Sequence, residues 1–397
     1  MTHHRILIVG GGTAGITVAA RMLRDGHDDV AVIEPSEVHY YQPLWTLVGG
    51  GQADAATSAR PEGKVMPRGA TWIRAAVTAV DPEANTVTCT DGSTHSYDVL
   101  VVCPGIQLDW DRIEGLTESL GRDGVSSNYR FDLAPRTWDF IRDLREGTAV
   151  FTMPSGPIKC AGAPQKIAYL ACDHWRRQGV LDDIDVHLVI PTPRIFGIPA
   201  IAESLEKVIA DYGIELHTNT EVVSVDAAGK KVALAAVAPG GESGTLPYDV
   251  AHVVPHQSAP DWVKNSPLST GQAGGYVDID KHTMQHVRYA NVFALGDVGS
   301  SPNSKTGAAI RKQAPVVVEN VAAYLRGRPL TGSYDGYASC PIVTSARAML
   351  MAEFDYDLAL KPSIPLLDST KPHWSYWYVK KYGLPAMYWQ LMLRGLA

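Results

Sequence analysis

This 397-residue chain contains five cysteines, which are residues capable of redox chemistry: Cys89, Cys103, Cys160, Cys172 and Cys340. No pair of them has the spacing of metal ligands, and they are not spaced like a secreted disulfide scaffold. Cys160 follows Lys159 and lies just before a helix that is predicted to begin at Pro164. A thiol near a helix N-terminus and beside a cation has a lowered pKa and is a better nucleophile. We therefore expect selected thiols to be reactive.

Cys340 is the second candidate nucleophile. It is followed by Pro341, which removes a backbone donor and stiffens the chain. Neither Cys160 nor Cys340 lies in a segment that predicts the interior of a strand or helix. Cys89, in the strand-like TVTCT, and Cys172, within a predicted helix, are interpreted as structural.

The first segment of the chain that could position a cofactor is a dinucleotide-binding pattern. The apolar run RILIV precedes GGGTAG, in which Gly10, Gly12 and Gly15 supply G-x-G-x-x-G. A helical segment follows, and then the strand-like VAVIE, which ends in Glu34. The glycines let the backbone approach a pyrophosphate, and the helix N-terminus stabilises its charge. Glu34 is placed to accept the ribose hydroxyls.

Two later segments resemble the second and third signatures of flavoproteins with two dinucleotide-binding domains. They are YDVLVVCPG, with Gly105, and NVFALGDVG, with Gly296 and Asp297. In that family the aspartate binds the ribityl chain and pyrophosphate of FAD. Cys103 departs from the small residue usual before the glycine and is interpreted as an apolar filler. Lys305, before the next predicted helix, is placed to stabilise a reduced flavin.

A second glycine-rich nucleotide loop is missing where such a flavoprotein would carry it. Residues 147–164, GTAVFTMPSGPIKCAGAP, contain Cys160 instead, and the following αβ unit also lacks the motif. Electrons are therefore expected to come from a donor other than NAD(P)H.

The segments IKCAGAPQK, SKTGAA and YDGYASCPIV are similar to signatures of the sulfide:quinone oxidoreductases, in the subgroup that includes the mitochondrial enzyme. The match covers almost the whole chain. The resemblance implies that Cys160 and Cys340 form a redox-active disulfide, directly or through extra sulfur, against FAD. It implies that sulfide attacks this disulfide, that Cys340 keeps the sulfur, and that Cys160 passes the electrons to the flavin.

The same resemblance implies the partners. Ubiquinone or menaquinone would accept the electrons, and glutathione, sulfite or more sulfide would accept the sulfur. FAD is expected to bind non-covalently, because no cysteine lies in residues 34–88, where some relatives attach it. The loop HYYQPLW is expected to cover the flavin edge.

Two other functions remain open. A type II NADH:quinone oxidoreductase would share the FAD motifs and the tail, and a non-enzymatic flavoprotein could serve as a redox-gated membrane scaffold. No metal site is expected. No proton shuttle is identified either, since His174, His187 and His217 are each interpreted as ordinary core or surface residues.

The carboxy-terminal tail has no acidic side chain after Asp368 but carries Lys371, Lys380, Lys381 and Arg394 among seven Trp and Tyr residues. This composition is typical of interfacial helices in the headgroup layer. We expect two short helices, broken near Gly383 and Pro385. The alternative is a tail docked on the protein's own core.

Bulk composition limits the partners and the location. Apolar residues make up 45% of the chain and charged residues 19%, as in folded globular proteins. The net charge of −7 argues against nucleic acid. With no signal peptide and no apolar run of about 20 residues, we expect a monotopic protein on the cytoplasmic face of a bacterial inner membrane. The oligomeric state is left open.

The predicted fold is α/β, of the glutathione-reductase-like type with two Rossmann-like domains. The FAD-binding domain is expected at residues 1–110 and 275–330, and a second domain without an NAD(P) loop at residues 111–274. Residues 331–397 are expected to form a segment that carries the second redox cysteine and binds the membrane.

Overall fold

The computed structural model describes residues 1–160, 162–364 and 367–397. Ala161 of the cysteine motif and residues 365–366 of the carboxy-terminal segment lie outside the described residues. The strands are β1 (Thr2–Val9), β2 (Val30–Ile33), β3 (Val38–Tyr40), β4 (Ala59–Pro61), β5 (Thr71–Ile73), β6 (Val77–Asp81), β7 (Thr86–Cys89), β8 (Thr94–Val102), β9 (Gln107–Asp109), β10 (Val125–Ser126), β11 (Gly147–Thr152), β12 (Ile184–Val189), β13 (Glu215–His217), β14 (Thr220–Asp226), β15 (Lys231–Ala236), β16 (Gly244–Pro247), β17 (Val250–His252), β18 (His256–Ser258), β19 (Val292–Ala294), β20 (Ala338–Ser345) and β21 (Ala348–Phe354). The α-helices are α1 (Thr13–Arg24), α2 (Trp45–Gly49), α3 (Glu62–Val65), α4 (Leu116–Ser119), α5 (Leu133–Asp143), α6 (Ala163–Gln178), α7 (Pro199–Tyr212), α8 (Asp261–Lys264), α9 (Gly307–Leu325), α10 (Trp374–Tyr378) and α11 (Leu384–Gln390).

The first sheet has the order β5-β2-β1-β8-β7-β6, and β19 also pairs with β8. Its central strands are parallel and carry uninterrupted apolar runs, and α1 and α9, which contact each other, pack on them. The chain leaves this sheet after β8 and returns to it with β19. The predicted α/β class is confirmed.

The turn from β1 into α1 requires glycine at two positions. Gly10 has a φ of +100°, which residues with a side chain rarely adopt. A Cβ on Gly15 would lie 1.8 Å from the carbonyl oxygen of Gly10, so α1 can approach β1 only without a side chain there. The first turn of α1 therefore faces the carboxyl end of the sheet with its amide groups free.

The second sheet is parallel throughout, with the order β10-β17-β11-β12-β13. Helix α6 packs against β11 and β12, and α7 packs against α6. The antiparallel β14-β15-β16 sheet packs on this unit through Val189, Val222 and Val232. The two edge strands of the second sheet are β10 and β13.

Strands β20 and β21 form a separate two-stranded hairpin that carries Cys340. The expectation that Cys340 lies outside a strand interior is wrong, since it is in β20 and is 1% exposed. Pro341 is tolerated in the next position because β20 pairs with β21 alone, which makes it an edge strand.

The tail continues α10 through a π-helical turn, Val379–Gly383, directly into α11. The two short helices expected in the tail are present as α10 and α11, and Pro385 stands in the first turn of α11. The π-helical turn joins them in place of an open break. The tail also packs on the first helix, where Arg21 Nη2 donates to the carbonyl of Ala397 at 2.6 Å. Among the described residues, no helix is both long and apolar enough to span a bilayer.

Packing of the tail against the rest of the protein divides its aromatic side chains into a buried set and an exposed set. The buried set is Tyr376, Trp377, Tyr388 and Trp389, and the exposed set is Trp374, Tyr378 and Tyr382. Lys380 is buried with the first set, so its expected role as a surface cation is wrong. The tail is thus both a wall of the protein and an exposed aromatic surface.

We predict that Gly15→Ala lowers the free energy of unfolding by at least about 2 kcal/mol, because the new Cβ forces α1 away from β1. Gly12→Ala is the matched control, since its Cβ would meet no atom within 4 Å. It should cost less than about 1 kcal/mol. Urea unfolding of both flavin-free proteins measures the difference, and equal costs would contradict this packing.

Candidate functional site

A cavity of about 500 Å³, the main cavity, lies at the carboxyl ends of the parallel strands of the first sheet. Loops after β1, β8 and β19 form its floor, and the start of α9, the loop before α6 and the tail form its walls. Five of the sequence-predicted site residues that line it are Gly12, Gly105, Gly296, Asp297 and Lys305. Three glycine-rich segments that are far apart in sequence therefore meet at one place.

The other residues predicted to bind the cofactor, Gly10, Gly15 and Glu34, are not among the residues that line the main cavity. Gly10 and Gly15 set the β1–α1 turn, and Glu34 stands at the end of β2. The Glu34 carboxylate accepts hydrogen bonds from the backbone amides of Gly11 and Ser36, each at 2.7 Å. Burial raises the pKa of Glu34 in spite of these bonds.

Asp297 and Lys305 place opposite charges in the main cavity. Nζ of Lys305 donates to the carbonyl of Gly299 at 3.0 Å and lies 4.2 Å from the ring centre of Tyr276. Burial lowers the pKa of Lys305 to about 8, against the attraction of Asp297. Burial likewise raises the pKa of Asp297, and Lys305 opposes that shift. Lys305 is therefore charged at neutral pH but begins to lose its proton just above it.

Cys160 and Cys340 meet, with their sulfur atoms 3.8 Å apart. Cys160 has a left-handed backbone, with φ of +54°, and its amide donates to the carbonyl of Lys305 at 2.8 Å. Gly162 makes the approach possible, because a Cβ there would lie 2.4 Å from the sulfur of Cys340. The hydrogen bond to Lys305, in the segment that precedes α9, thus stabilises the strained backbone conformation of Cys160.

Charge around the pair makes the two thiols unequal. Nζ of Lys166 donates to the Cys160 sulfur at 3.0 Å. The hydrogen bond from the Cys340 thiol, together with the charge of Lys166, holds the pKa of Cys160 well below its usual range. The same hydrogen bond raises the pKa of Cys340. In the reduced pair, Cys160 is the thiolate and Cys340 is the thiol.

A second buried cation stands near the thiolate. Nζ of Lys380, from the π-helical turn of the tail, donates to the carbonyl of Pro43 at 2.9 Å. Burial and the neighbouring charge of Lys166 lower the pKa of Lys380 to about 7. This lysine can therefore lose or gain a proton near neutral pH beside the sulfur atoms.

The two sulfur atoms open into different cavities. Cys160 lines the main cavity, and Cys340 lines a second cavity of about 660 Å³. The second cavity is formed by loops after β11, β12 and β21 and by residues 299–305. Lys305 lines both. The cysteine pair therefore forms part of the wall between the two cavities.

Sequence reasoning missed Gly162, Lys166 and Lys380. The sequence did contain a signal for Lys166, since this residue is in the first turn of α6, soon after Cys160. It contained no signal for the position of Lys380 beside the thiols, because that position depends on docking of the tail.

The remaining cysteines have the buried surroundings of structural residues. Cys89 ends β7, Cys172 lies within α6, and Cys103 donates a weak hydrogen bond to the carbonyl of Gly10 at 3.6 Å. Burial raises the pKa of all three thiols, which disfavours the reactive thiolate.

Comparisons with known proteins agree with this arrangement. The model of the pyridine nucleotide-disulphide oxidoreductase family matches residues 4–314. The mitochondrial sulfide:quinone oxidoreductase of Dictyostelium discoideum is 42% identical over 98% of this chain and 86% of its own length. The chain belongs to the sulfide:quinone oxidoreductase family. The family and the mitochondrial-like subgroup inferred from the sequence are confirmed.

Other members of the sulfide:quinone oxidoreductase family extend the match. The mitochondrial sulfide:quinone oxidoreductase of Mus musculus is 36% identical over 99% of this chain and 87% of its own length. The crystal structure of the sulfide:quinone oxidoreductase from Aquifex aeolicus superposes with a TM-score of 0.81 at 20% identity. That superposition covers 99% of this chain and 92% of the other, and it supports the predicted fold.

We predict that Lys166→Met slows alkylation of reduced Cys160 by iodoacetamide about tenfold at pH 6, because loss of the cation raises the thiol pKa. The pH midpoint of the reaction should move upward. Lys159→Met is the matched control, since Nζ of Lys159 donates to Gln42 rather than to sulfur. Mass spectrometry of the Cys160 peptide gives the rate, and an unchanged midpoint in Lys166→Met would contradict the assigned contact.

Proposed function

We propose that this protein oxidises sulfide at the Cys160–Cys340 pair and transfers the electrons through a bound flavin to a quinone. One observation carries the proposal. Two thiols lie 3.8 Å apart, and each lines a different cavity. A redox pair in that position can react with a sulfur compound on one side and with a cofactor on the other. Family membership supports the same substrates.

The main cavity suits FAD. Its glycine-rich walls leave backbone amides and the start of α1 available to a pyrophosphate. The amide group of Asn128 is buried at its wall with neither polar atom paired, as expected of a group that awaits a ligand. Gly10, Gly12, Gly15, Glu34, Gly105, Gly296 and Asp297 would hold the cofactor. Bound there, a flavin would accept an electron pair from sulfur and release it to a quinone.

Non-covalent attachment follows from the cysteine positions. Cys103, which lines the main cavity, has a high pKa because of burial, and no cysteine lies in residues 34–88. Tyr41, Gln42 and Trp45 of the expected covering loop do line the cavity. We infer that these residues and the tail hold the cofactor by contact alone.

The sulfur step is a thiol–disulfide exchange on the oxidised pair. Hydrosulfide attacks the sulfur of Cys340, the new S–S bond makes a persulfide there, and the Cys160–Cys340 bond breaks. Cys160 leaves as a thiolate with the electron pair, and Lys166, 3.0 Å away, stabilises its negative charge. The reverse assignment would produce the thiolate at Cys340, whose pKa is raised.

The second cavity suits arrival of sulfide and departure of the sulfane sulfur. It reaches Cys340 but not Cys160, and at about 660 Å³ it has room for a small thiol or anion. Glutathione, sulfite and further sulfide are the acceptor classes to compare. Transfer of the outer sulfur leaves the Cys340 thiol, ready to re-form the disulfide when the pair is oxidised.

The exposed aromatic set of the tail suits a membrane surface. Trp374, Tyr378 and Tyr382 are 63%, 54% and 59% exposed. Nζ of Lys381 lies 4.8 Å from the ring centre of Trp377, beside them. Behind them, Leu384 and other apolar tail residues line the main cavity. Ubiquinone or menaquinone could enter from the bilayer by that wall. The cytoplasmic face of a bacterial membrane remains a prediction.

We predict that Cys160→Ser and Cys340→Ser each slow reduction of the flavin by sulfide at least about 1,000-fold while leaving flavin content unchanged. Cys89→Ala is the matched control and should react as wild type. Anaerobic stopped-flow at the flavin band gives the rates. NADH in place of sulfide should not bleach the wild type, and rapid bleaching by NADH would favour the type II NADH:quinone reductase alternative.

We predict that replacing Trp374, Tyr378 and Tyr382 together by serine weakens flotation with liposomes at least about 30-fold, because their apolar area can no longer be buried in the headgroup layer. Serine substitution of Val223, Val237 and Val287, which are exposed elsewhere, is the matched control. Flavin content should stay unchanged in both variants. Equal flotation of the two would place the membrane surface elsewhere.

A further inference from the structure

Two histidines and a glutamate cluster on the second sheet, and none of them lines either cavity. His187 is on β12, and Glu215 and His217 are on the edge strand β13. The strands pair with His187 opposite Glu215 and Val189 opposite His217. Because alternate side chains of a strand share a face, the three side chains project from the same face.

The distances within the cluster are those of a metal site. Nδ1 of His187 lies 3.0 Å from Nε2 of His217. The Glu215 carboxylate lies 3.5 Å from the first nitrogen and 3.8 Å from the second. Zinc bonds of about 2.0–2.1 Å at tetrahedral angles separate neighbouring ligand atoms by roughly 3.3 Å. The two nitrogens therefore need to separate by only a few tenths of an ångström, and each already has a carboxylate oxygen of Glu215 within 3.8 Å.

We propose that His187, Glu215 and His217 bind a divalent transition-metal ion, of which Zn²⁺ is the best match, with water in the remaining position. Imidazole and carboxylate are donors that zinc accepts, and strands position them more rigidly than loops would. The carboxylate of Glu215 is 66% exposed, so solvent reaches the site.

A further carboxylate orients one of the ligands. Oε2 of Glu242, from the loop between β15 and β16, lies 2.8 Å from Nδ1 of His217. It accepts the Nδ1 proton, which turns the lone pair of Nε2 toward the cluster, as in carboxylate–histidine–zinc sites. Without metal, the Nδ1–H of His187 donates to Nε2 of His217, and with metal that proton would stand on Nε2 of His187.

The ion would fasten the edge strand to its neighbours. The carbonyl of His217 accepts from the amide of Ile190 at 2.8 Å, and the Asn219 amide donates to Thr192 at 3.2 Å. Thr192 begins the segment of the second cavity wall that follows β12. Metal binding should therefore hold β13 in place beside that wall. This proposal stands independently of the redox function.

The test titrates Zn²⁺ into tag-free, chelator-treated, flavin-loaded full-length protein that carries Cys160→Ser and Cys340→Ser, because thiolates would otherwise compete for the metal. We expect one zinc per chain, a first shell of nitrogen and oxygen by X-ray absorption, and a higher Tm with zinc than without. Adding His187→Ala or Glu215→Gln should weaken binding at least about 100-fold.

His3→Gln is the matched control, since His3 is an exposed histidine whose Nε2 lies 3.4 Å from Asp98. It should bind zinc as tightly as its parent. Flavin absorbance and the metal-free Tm report whether each variant is folded. Failure of the Cys160→Ser, Cys340→Ser parent to bind one equivalent, or equal affinity in His187→Ala, would overturn the proposal.

Discussion

The redox function proposed for this protein depends on two sulfur atoms held 3.8 Å apart in the wall between two cavities. The contact joins the turn before α6 to an edge strand that lies far along the chain. Three features hold it: the left-handed backbone of Cys160, the hydrogen bond from its amide to Lys305, and the missing side chain of Gly162. Because Lys305 also faces Asp297, the thiol turn and the nucleotide-binding motif share one support. A displacement in either would be transmitted to the other.

Buried charge is the second constraint. A thiolate at Cys160 in a closed site needs a cation, and Lys166 supplies it at 3.0 Å. Burial, together with the charge of Lys166, lowers the pKa of Lys380 to about 7, so Lys380 can exchange a proton near neutral pH. Lys380 comes from the tail, and Tyr388 of the tail also lines the main cavity. The tail is therefore part of the wall of the main cavity, and its removal would open the cavity.

Local signals in the sequence were sufficient for the first sheet, since Gly10, Gly15 and the apolar strand before them act within one βα turn. The pairing of Cys160 with Cys340 came from resemblance and not from spacing, because nothing local records a contact between distant segments. The strand around Cys340 was missed because Pro341 argues against a central strand, whereas β20 is an edge strand. Lys380 was missed because its burial arises only when the tail docks. The two short tail helices were predicted because Gly383 and Pro385 mark the start of α11, whereas no local residue pattern recorded the π-helical turn that joins them.

The central claim is that the two thiols have different partners, with Cys340 facing the sulfur compound and Cys160 facing the flavin cavity. The most direct measurement is mass spectrometry of the protein after one anaerobic equivalent of sulfide, with acid quench and alkylation of free thiols. The account predicts one additional sulfur atom on the Cys340 peptide and an alkylated, unmodified Cys160. An additional sulfur on Cys160, with Cys340 alkylated as a plain thiol, would contradict it.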